Sequence, residues 1–142
     1  MSCRQSALVA IFLAGAAALP VATAQAQGAN RDALLIRQDE SDCTNSTVPS
    51  ANPPDQRGIV SIVRENDGNT LVKVAMTVAP NTTYHFFLKC VRQLGDITTS
   101  DEGVGTAVFS FPTNLTGAAY GFDMYPEGAP AGNKFQSMTV RF

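Results

Sequence analysis

Few residues in this chain could carry out acid–base or metal chemistry. The 142 residues include a single histidine, His85, and three cysteines. A catalytic histidine needs a nucleophile or an orienting carboxylate within hydrogen-bonding distance, and its sequence neighbours supply neither. The alternation around His85 places it opposite the predicted core face, so we interpret it as a surface residue. A blue-copper centre needs two histidines, which excludes that chemistry.

Acidic residues form two clusters in predicted loops. These clusters are Asp39, Glu40 and Asp42, and Asp96, Asp101 and Glu102. Grouped oxygen ligands could bind calcium, but the spacing does not match the calcium-loop pattern, so we interpret both clusters as solvated. Paired carboxylates could also hydrolyse a glycosidic bond if a cleft brought them together. We predict no metal, no cofactor and no catalytic residue, with a hydrolase using acidic loop residues as the alternative.

Three other motifs give only weak evidence of a functional site. Gly103 and Gly105 lack the lysine and the strand-to-helix context of a phosphate loop. No serine lies in a Gly-x-Ser-x-Gly elbow. Asn45, Asn81 and Asn114 match the acceptor pattern for N-glycosylation, but all three lie in predicted loops, where asparagine is common. We interpret them as turn residues.

The start of the chain predicts export. Residues 1–26 contain one charge at Arg4, an apolar run over 7–19, and small residues that permit cleavage after Ala24 or Ala26. This order is typical of a secretory signal peptide, here in an alanine-rich style that suggests a bacterium. An uncleaved N-terminal anchor is the alternative. We therefore expect a secreted or periplasmic protein whose mature part, 27–142, forms one domain.

Removal of the signal peptide would leave two cysteines, Cys43 and Cys90. In an oxidising compartment such a pair predicts a disulfide, because a Cys-x-x-Cys motif is missing and histidine ligands are scarce. A redox or metal-binding thiol pair is the alternative. The disulfide would attach a long Pro-rich loop, predicted over 39–57, to the body of the domain.

The charge distribution argues against several partners. The chain has 12 acidic and 10 basic side chains, and the basic ones form no stripe of the kind that binds nucleic acid. No later segment is apolar enough to predict a transmembrane span in the mature chain. A protein or cell-surface partner remains possible, with no candidate binding residue identified by sequence.

Alternating apolar residues predict the fold. We expect about seven strands, with no helix after the signal peptide, over 33–37, 58–64, 70–78, 84–92, 104–111, 118–125 and 135–142. In the fourth strand Tyr84, Phe86, Leu88 and Cys90 share the core face. Short strands separated by turn signals favour an antiparallel two-sheet sandwich.

A short segment resembles immunoglobulin-like and fibronectin-III-like sandwiches. Residues 78–86, Val-Ala-Pro-Asn-Thr-Thr-Tyr-His-Phe, are similar to the turn at which those folds place a tyrosine that hydrogen-bonds to the upstream backbone. Tyr84 is the candidate. The resemblance implies an immunoglobulin-like Greek key in a small exported bacterial protein, and implies no activity. This chain departs from the pattern in lacking tryptophan.

These patterns favour a non-catalytic extracytoplasmic module with a structural or binding role. The hydrolase is the first alternative. The second is a small outer-membrane β-barrel, because the chain ends in an aromatic residue, Phe142, after an alternating segment. Several predicted strands are shorter than the roughly 9–11 residues such barrels use, and charges lie near strand centres at Lys73, Lys89, Asp123 and Arg141.

Overall fold

The computed structural model describes residues 30–49 and 57–142. The predicted signal peptide at 1–26 and residues 50–56 of the predicted loop therefore lie outside the described residues. Strands make up more than half of the described residues and the remainder is nearly all turns and loops, which confirms the all-β prediction. The one helical element of the described part is a three-residue 3₁₀ turn, Thr113–Leu115.

Most strands follow the alternation of the sequence. The strands are β1 (Asn30–Arg37), β2 (Arg57–Arg64), β3 (Asn69–Thr77), β4 (Thr83–Leu88), β5 (Arg92–Thr98), β6 (Val104–Pro112), β7 (Ala119–Tyr120), β8 (Phe122–Pro126), β9 (Phe135–Ser137) and β10 (Val140–Arg141). Burial in β3 alternates strictly, with Val72, Val74 and Met76 inside. This is the pattern of a sheet with one buried and one solvated face.

The main sheet contains eight strands in the order β5-β4-β8-β9-β1-β2-β3-β6, with antiparallel pairing throughout. Strand β1 joins its two halves, because Asn30–Leu35 pair with β2 and Leu35–Arg37 pair with β9. Two predicted sheets are thus one continuous sheet, accompanied by a separate two-stranded sheet of β7 and β10. The antiparallel arrangement was predicted correctly, whereas the predicted sandwich of about seven strands in two sheets differs from this eight-stranded main sheet.

The main sheet is curved so strongly that its two edge strands, β5 and β6, approach each other. Gly95 of β5 lies against the ring of Phe109 in β6, where an added Cβ would be 2.6 Å from the nearest ring carbon. Gly105 of β6 is similarly close to Ile97 of β5. Side-chain packing therefore nearly closes the sheet into a barrel, whose interior is filled by the core, as expected for so few strands.

Aromatic rings dominate that core. Phe86 stacks on Phe122 with centroids 5.4 Å apart and on Phe109 at 5.3 Å. Tyr120 and Phe111 meet at nearly right angles at the same end. Phe86, Phe111 and Phe122 are almost fully buried, and for Phe86 this confirms the core face predicted for the fourth strand.

Two predicted strands are interrupted. The strand predicted over 84–92 ends at Leu88, turns through Cys90 at a positive φ of 60°, and continues as β5. The predicted polar connection over 94–103 therefore contains most of β5. The strand predicted over 118–125 breaks at Gly121, where Asn45 lies against the backbone and leaves no space for a side chain. The first break has no glycine, proline or asparagine to mark it, whereas the second falls at an isolated glycine, which in a strand pattern indicates a bulge or a close backbone approach.

Candidate functional site: a polar cleft on the outer sheet face

The outer face of β4, β5, β8 and β9 carries most of the polar side chains that could contact a ligand. Alternation places His85 and Phe87 on the outside of β4, and Asp123 and Tyr125 on the outside of β8. The register sets Phe87 opposite Asp123 and His85 opposite Tyr125. Asp123 also lies opposite Gln136 of β9. These pairs bring together residues that are 36, 40 and 13 positions apart in the sequence, on three adjacent strands.

A cleft of about 340 Å³ lies on this face, where residues 39–41 approach β8 and β9. Its volume is at the lower end of the range for small-molecule sites, roughly 300–1,000 Å³. Four charged side chains, a tyrosine and an amide contribute to its lining: Asp39, Lys89, Asp123, Lys134, Tyr125 and Gln136. We refer to this depression as the cleft.

Lys89 anchors one wall of the cleft. Its Nζ donates to Ser41 Oγ at 2.9 Å, to the Ser41 carbonyl at 3.2 Å and to Asn45 Oδ1 at 2.8 Å. An ammonium has three donors, so these contacts use all of them. Partial burial lowers the pKa of Lys89, with Asp123 and Asp42 opposing the shift. Lys89 therefore positions the 39–45 segment and has no donor left for a ligand.

Asp123 is an acidic group of the cleft whose pKa is shifted by its surroundings. Partial burial raises its pKa, with the charge of Lys89 opposing the shift. Within the described ranges, no side chain donates a hydrogen bond to its carboxylate. Asp123 can therefore accept hydrogen bonds from a molecule in the cleft.

Gln136 is a second group without a partner. Its side chain lines the cleft and is only 5% exposed, yet its Oε1 is buried without a hydrogen-bond donor. An unsatisfied buried polar atom costs about 1–3 kcal/mol, so a native structure retains few of them. A ligand toward which this amide rotates would recover that cost, because in the present rotamer the oxygen is inaccessible from the cleft.

An aromatic pair borders the cleft. Tyr125 stacks on Phe87 with ring centroids 4.9 Å apart and planes inclined by 20°. Tyr125 and Asp123 also line a second depression of about 250 Å³, whose lining includes Phe87, Arg92 and Gln93. These two residues therefore form a ridge between the cleft and a second depression beside it.

The predicted acidic clusters are not brought together as catalytic pairs. Asp96 lies in β5 opposite His85, whereas Asp101 and Glu102 belong to the turn before β6, where Glu102 accepts a bond from Ser100 at 2.8 Å. In the described part of the chain, no group of three metal-ligating side chains could hold a metal ion.

The other cluster shapes the segment beside the cleft. Asp42 accepts hydrogen bonds from the Thr44 and Ser46 backbone and from both hydroxyls. These bonds, with that of the Ser46 side chain the largest contributor, lower its pKa strongly. Asp42 is solvent-exposed, as predicted, but it organises a turn rather than a ligand site.

Asn45 holds that turn against the sheet. Its φ is +57°, a conformation that asparagine tolerates better than most residues. The side chain is 1% exposed, and its Nδ2 donates to the Phe122 carbonyl at 3.0 Å. Of the three sequons, this one is therefore inaccessible to a glycosyltransferase in the folded protein.

Cys43 and Cys90 lie at disulfide distance, with Cα atoms 5.6 Å apart, in agreement with the predicted pairing. The predicted orientation of Cys90 was wrong. The residue is exposed in the β4–β5 turn rather than directed into the core, because β4 ends before it. The connection therefore joins two surface segments beside the cleft.

His85 also differs from the prediction. It remains on the surface, but Nδ1 lies 2.7 Å from Asp96 Oδ1 and Nε2 lies 3.2 Å from Glu127 Oε2. The sequence placed neither carboxylate near it, since one is 11 and the other 42 residues away. The hydrogen bond with Asp96, followed by that with Glu127, raises the pKa of His85.

The titration of His85 tests this arrangement. A raised pKa means that protonation stabilises the folded state fully below the unfolded value of about 6.5, and that this stabilisation disappears as the pH rises through the folded pKa. We expect the imidazole signal in NMR, unique in this chain, to titrate above pH 6.5. Asp96→Asn should lower the midpoint more than Glu127→Gln. A wild-type midpoint at or below 6.5 would contradict these contacts.

Comparison with protein-family models and with curated protein sequences finds no match for this chain. Within the described residues, the structure also contains no helix of the length and hydropathy needed to cross a membrane.

Proposed function

We propose that this chain is a non-catalytic extracytoplasmic binding module whose ligand occupies the cleft. The observation that carries the proposal is the pair of uncommitted polar groups, the Asp123 carboxylate and the Gln136 amide, in a preformed depression beside an aromatic ring. Convergent polar groups in a concave site are the usual features of ligand recognition. Lys89 and its three hydrogen bonds keep the wall of the cleft in place.

Export is part of the proposal. The predicted signal peptide at 1–26 and the exposed cysteines at disulfide distance both support a secreted or periplasmic location, where disulfides persist. An immunoglobulin-like relationship is also proposed. The Tyr84 hydroxyl donates to Asn133 and interacts with the upstream backbone of Ala79, and the second contact is typical of a tyrosine corner.

The non-catalytic proposal rests on how the reactive groups are used. Both nitrogens of His85 contact carboxylates, so neither is directed at a nucleophile as in a hydrolytic triad. The hydrolase alternative has one favourable observation, the raised pKa of Asp123. An activity on polymeric substrates that survives Asp96→Asn with Asp101→Asn, but not Asp123→Asn, would support a revised hydrolase centred on the cleft.

A ligand titration followed by NMR tests the binding function. Three probes, cellobiose, ethylammonium chloride and sodium acetate, represent neutral polyols, cations and anions. We expect at least one to give saturable shifts at Tyr125, Asp123 and the Gln136 side-chain amide. The Asp123→Asn variant should weaken this binding, whereas Asp32→Asn, which changes an exposed carboxylate on β1, should not.

Two outcomes would count against the proposal. Failure of all three probe classes to shift the cleft signals would remove the binding function. Retention of the expressed chain in the cytoplasm, with residues 1–26 still attached, would remove the extracytoplasmic location. Resistance to release by osmotic shock would instead favour the outer-membrane alternative.

A further inference from the structure

The cleft is balanced in charge. Asp39 and Asp123 provide two carboxylates, and Lys89 and Lys134 provide two ammonium groups. An anionic ligand would meet both carboxylates, and a cationic one would meet both lysines. Since like charges at close range are unfavourable, the lining selects against a ligand with a large net charge of either sign.

The groups left for a ligand require it both to donate and to accept hydrogen bonds. The Asp123 carboxylate can only accept, and the Gln136 amide can do both. The Lys134 ammonium, a lining group with no hydrogen-bond acceptor among the described side chains, can only donate. A hydroxyl group donates and accepts at once, whereas an ammonium only donates and a carboxylate only accepts. A polyhydroxylated molecule satisfies all three groups with a single type of substituent and carries no net charge.

The ring of Tyr125, which lies on the ridge between the two depressions, adds an apolar surface that a small polyol would not need. Tyr125 lines both depressions, and one side of its ring is supported by Phe87. The face of a sugar ring presents C–H groups that pack against an aromatic ring, while its hydroxyls point to the sides. Aromatic rings combine a large apolar surface with little conformational freedom to lose, which suits a stacking platform.

The second depression indicates the length of the ligand. It adjoins the cleft at Asp123 and Tyr125 and offers the guanidinium donors of Arg92, whereas the Nε2 of Gln93, also in its lining, already contacts Asp96 and His85. A single ring in the cleft would leave this depression empty. We propose that the ligand is a neutral oligosaccharide of at least two units that crosses Tyr125, an inference that rests on the proposed binding function of the cleft.

A glycan array probed with the exported, processed protein tests this inference, followed by calorimetry with a homologous series from one to five units. We expect binding to a neutral glycan series and an affinity that rises about tenfold or more from one unit to three, since each added ring makes new contacts. Tyr125→Ala should weaken binding of the trimer about tenfold. Tyr125→Phe, which keeps the ring, should stay within about threefold of wild type.

The control for truncation is Val108→Ala, an exposed apolar residue of β6 outside both depressions. It should bind as wild type does, and thermal unfolding should show every variant to be folded. Absence of binding to every neutral glycan would overturn the oligosaccharide assignment, as would equal affinity for one unit and for three. If ethylammonium or acetate still produced saturable shifts in the cleft, the binding function would stand with a different ligand.

Discussion

Replacing Cys43 and Cys90 together by serine is expected to lower the free energy of unfolding by about 4 kcal/mol, because the bridge restricts a loop of 47 residues in the unfolded chain. Domains of this size have a net stability of about 5–15 kcal/mol. Loss of the bridge would therefore remove a large share of it. Urea denaturation of the wild type and of the double variant measures the difference.

The same substitution should also affect the cleft. Residues 39–41 form one of its walls, and Cys43 follows directly. Without the bridge, this segment would be held by hydrogen bonds such as those of Lys89, Asn45 and Thr139. We expect weaker ligand binding and shifted NMR signals at Ser41 and Asn45, while β3 signals stay unchanged.

A reductant provides the control. It should destabilise the wild type to the level of the double variant and leave the double variant unaffected. Mass spectrometry should show that the wild type gains two hydrogens on reduction. An unchanged mass would show that the bridge does not form in the exported protein.

Replacing Phe122 by alanine is expected to destabilise the fold by about 3–5 kcal/mol, the usual cost of truncating a buried phenylalanine. Phe122 is fully buried and contacts Phe86, Phe111 and Tyr120. The rolled sheet surrounds these rings on several sides, which limits collapse into the cavity. Urea denaturation with an unchanged slope would show that stability alone has changed.

Two further variants serve as controls for the Phe122→Ala prediction. Phe122→Leu retains more of the buried volume and should cost less than the alanine substitution. Val108→Ala removes an apolar side chain that is 62% exposed on β6 and should stay within about 0.5 kcal/mol of wild type. Equal effects from Phe122→Ala and Val108→Ala would mean that the aromatic cluster is not the core.

Sequence periodicity identified the inner and outer faces of the strands well. Tyr84, Phe86 and Leu88 were expected on the core face and are buried, and the charge at Asp123, near the centre of a predicted strand, lies on the outer face and lines the cleft. A side-chain period of two in extended backbone makes such assignments local. The β4–β5 turn at Cys90 was missed because it lacks the Gly, Pro or Asn residues that usually mark a turn.

The candidate site was not predictable in the same way. Lys89, Asp123 and Gln136 carried no motif, and their significance arises from the order of strands β4, β8 and β9. Similarly, His85 was expected to have no carboxylate near it, yet strand pairing brings Asp96 to it, and the segment after β8 brings Glu127. The sequence did place polar side chains on the outward face of β8. This pattern did not identify which residues of other strands lie beside them.

The sequence by itself determined the all-β class, the faces of most strands and the pairing of the only two cysteines left after the predicted signal peptide. These properties depend on local alternation and on residue counts. The tertiary structure alone decided that eight of the strands form one nearly closed sheet, that β1 joins its two halves, and that a cleft forms beside Tyr125. Strand order brings together residues far apart in the chain, and local side-chain patterns contain no information about which distant strand becomes a neighbour.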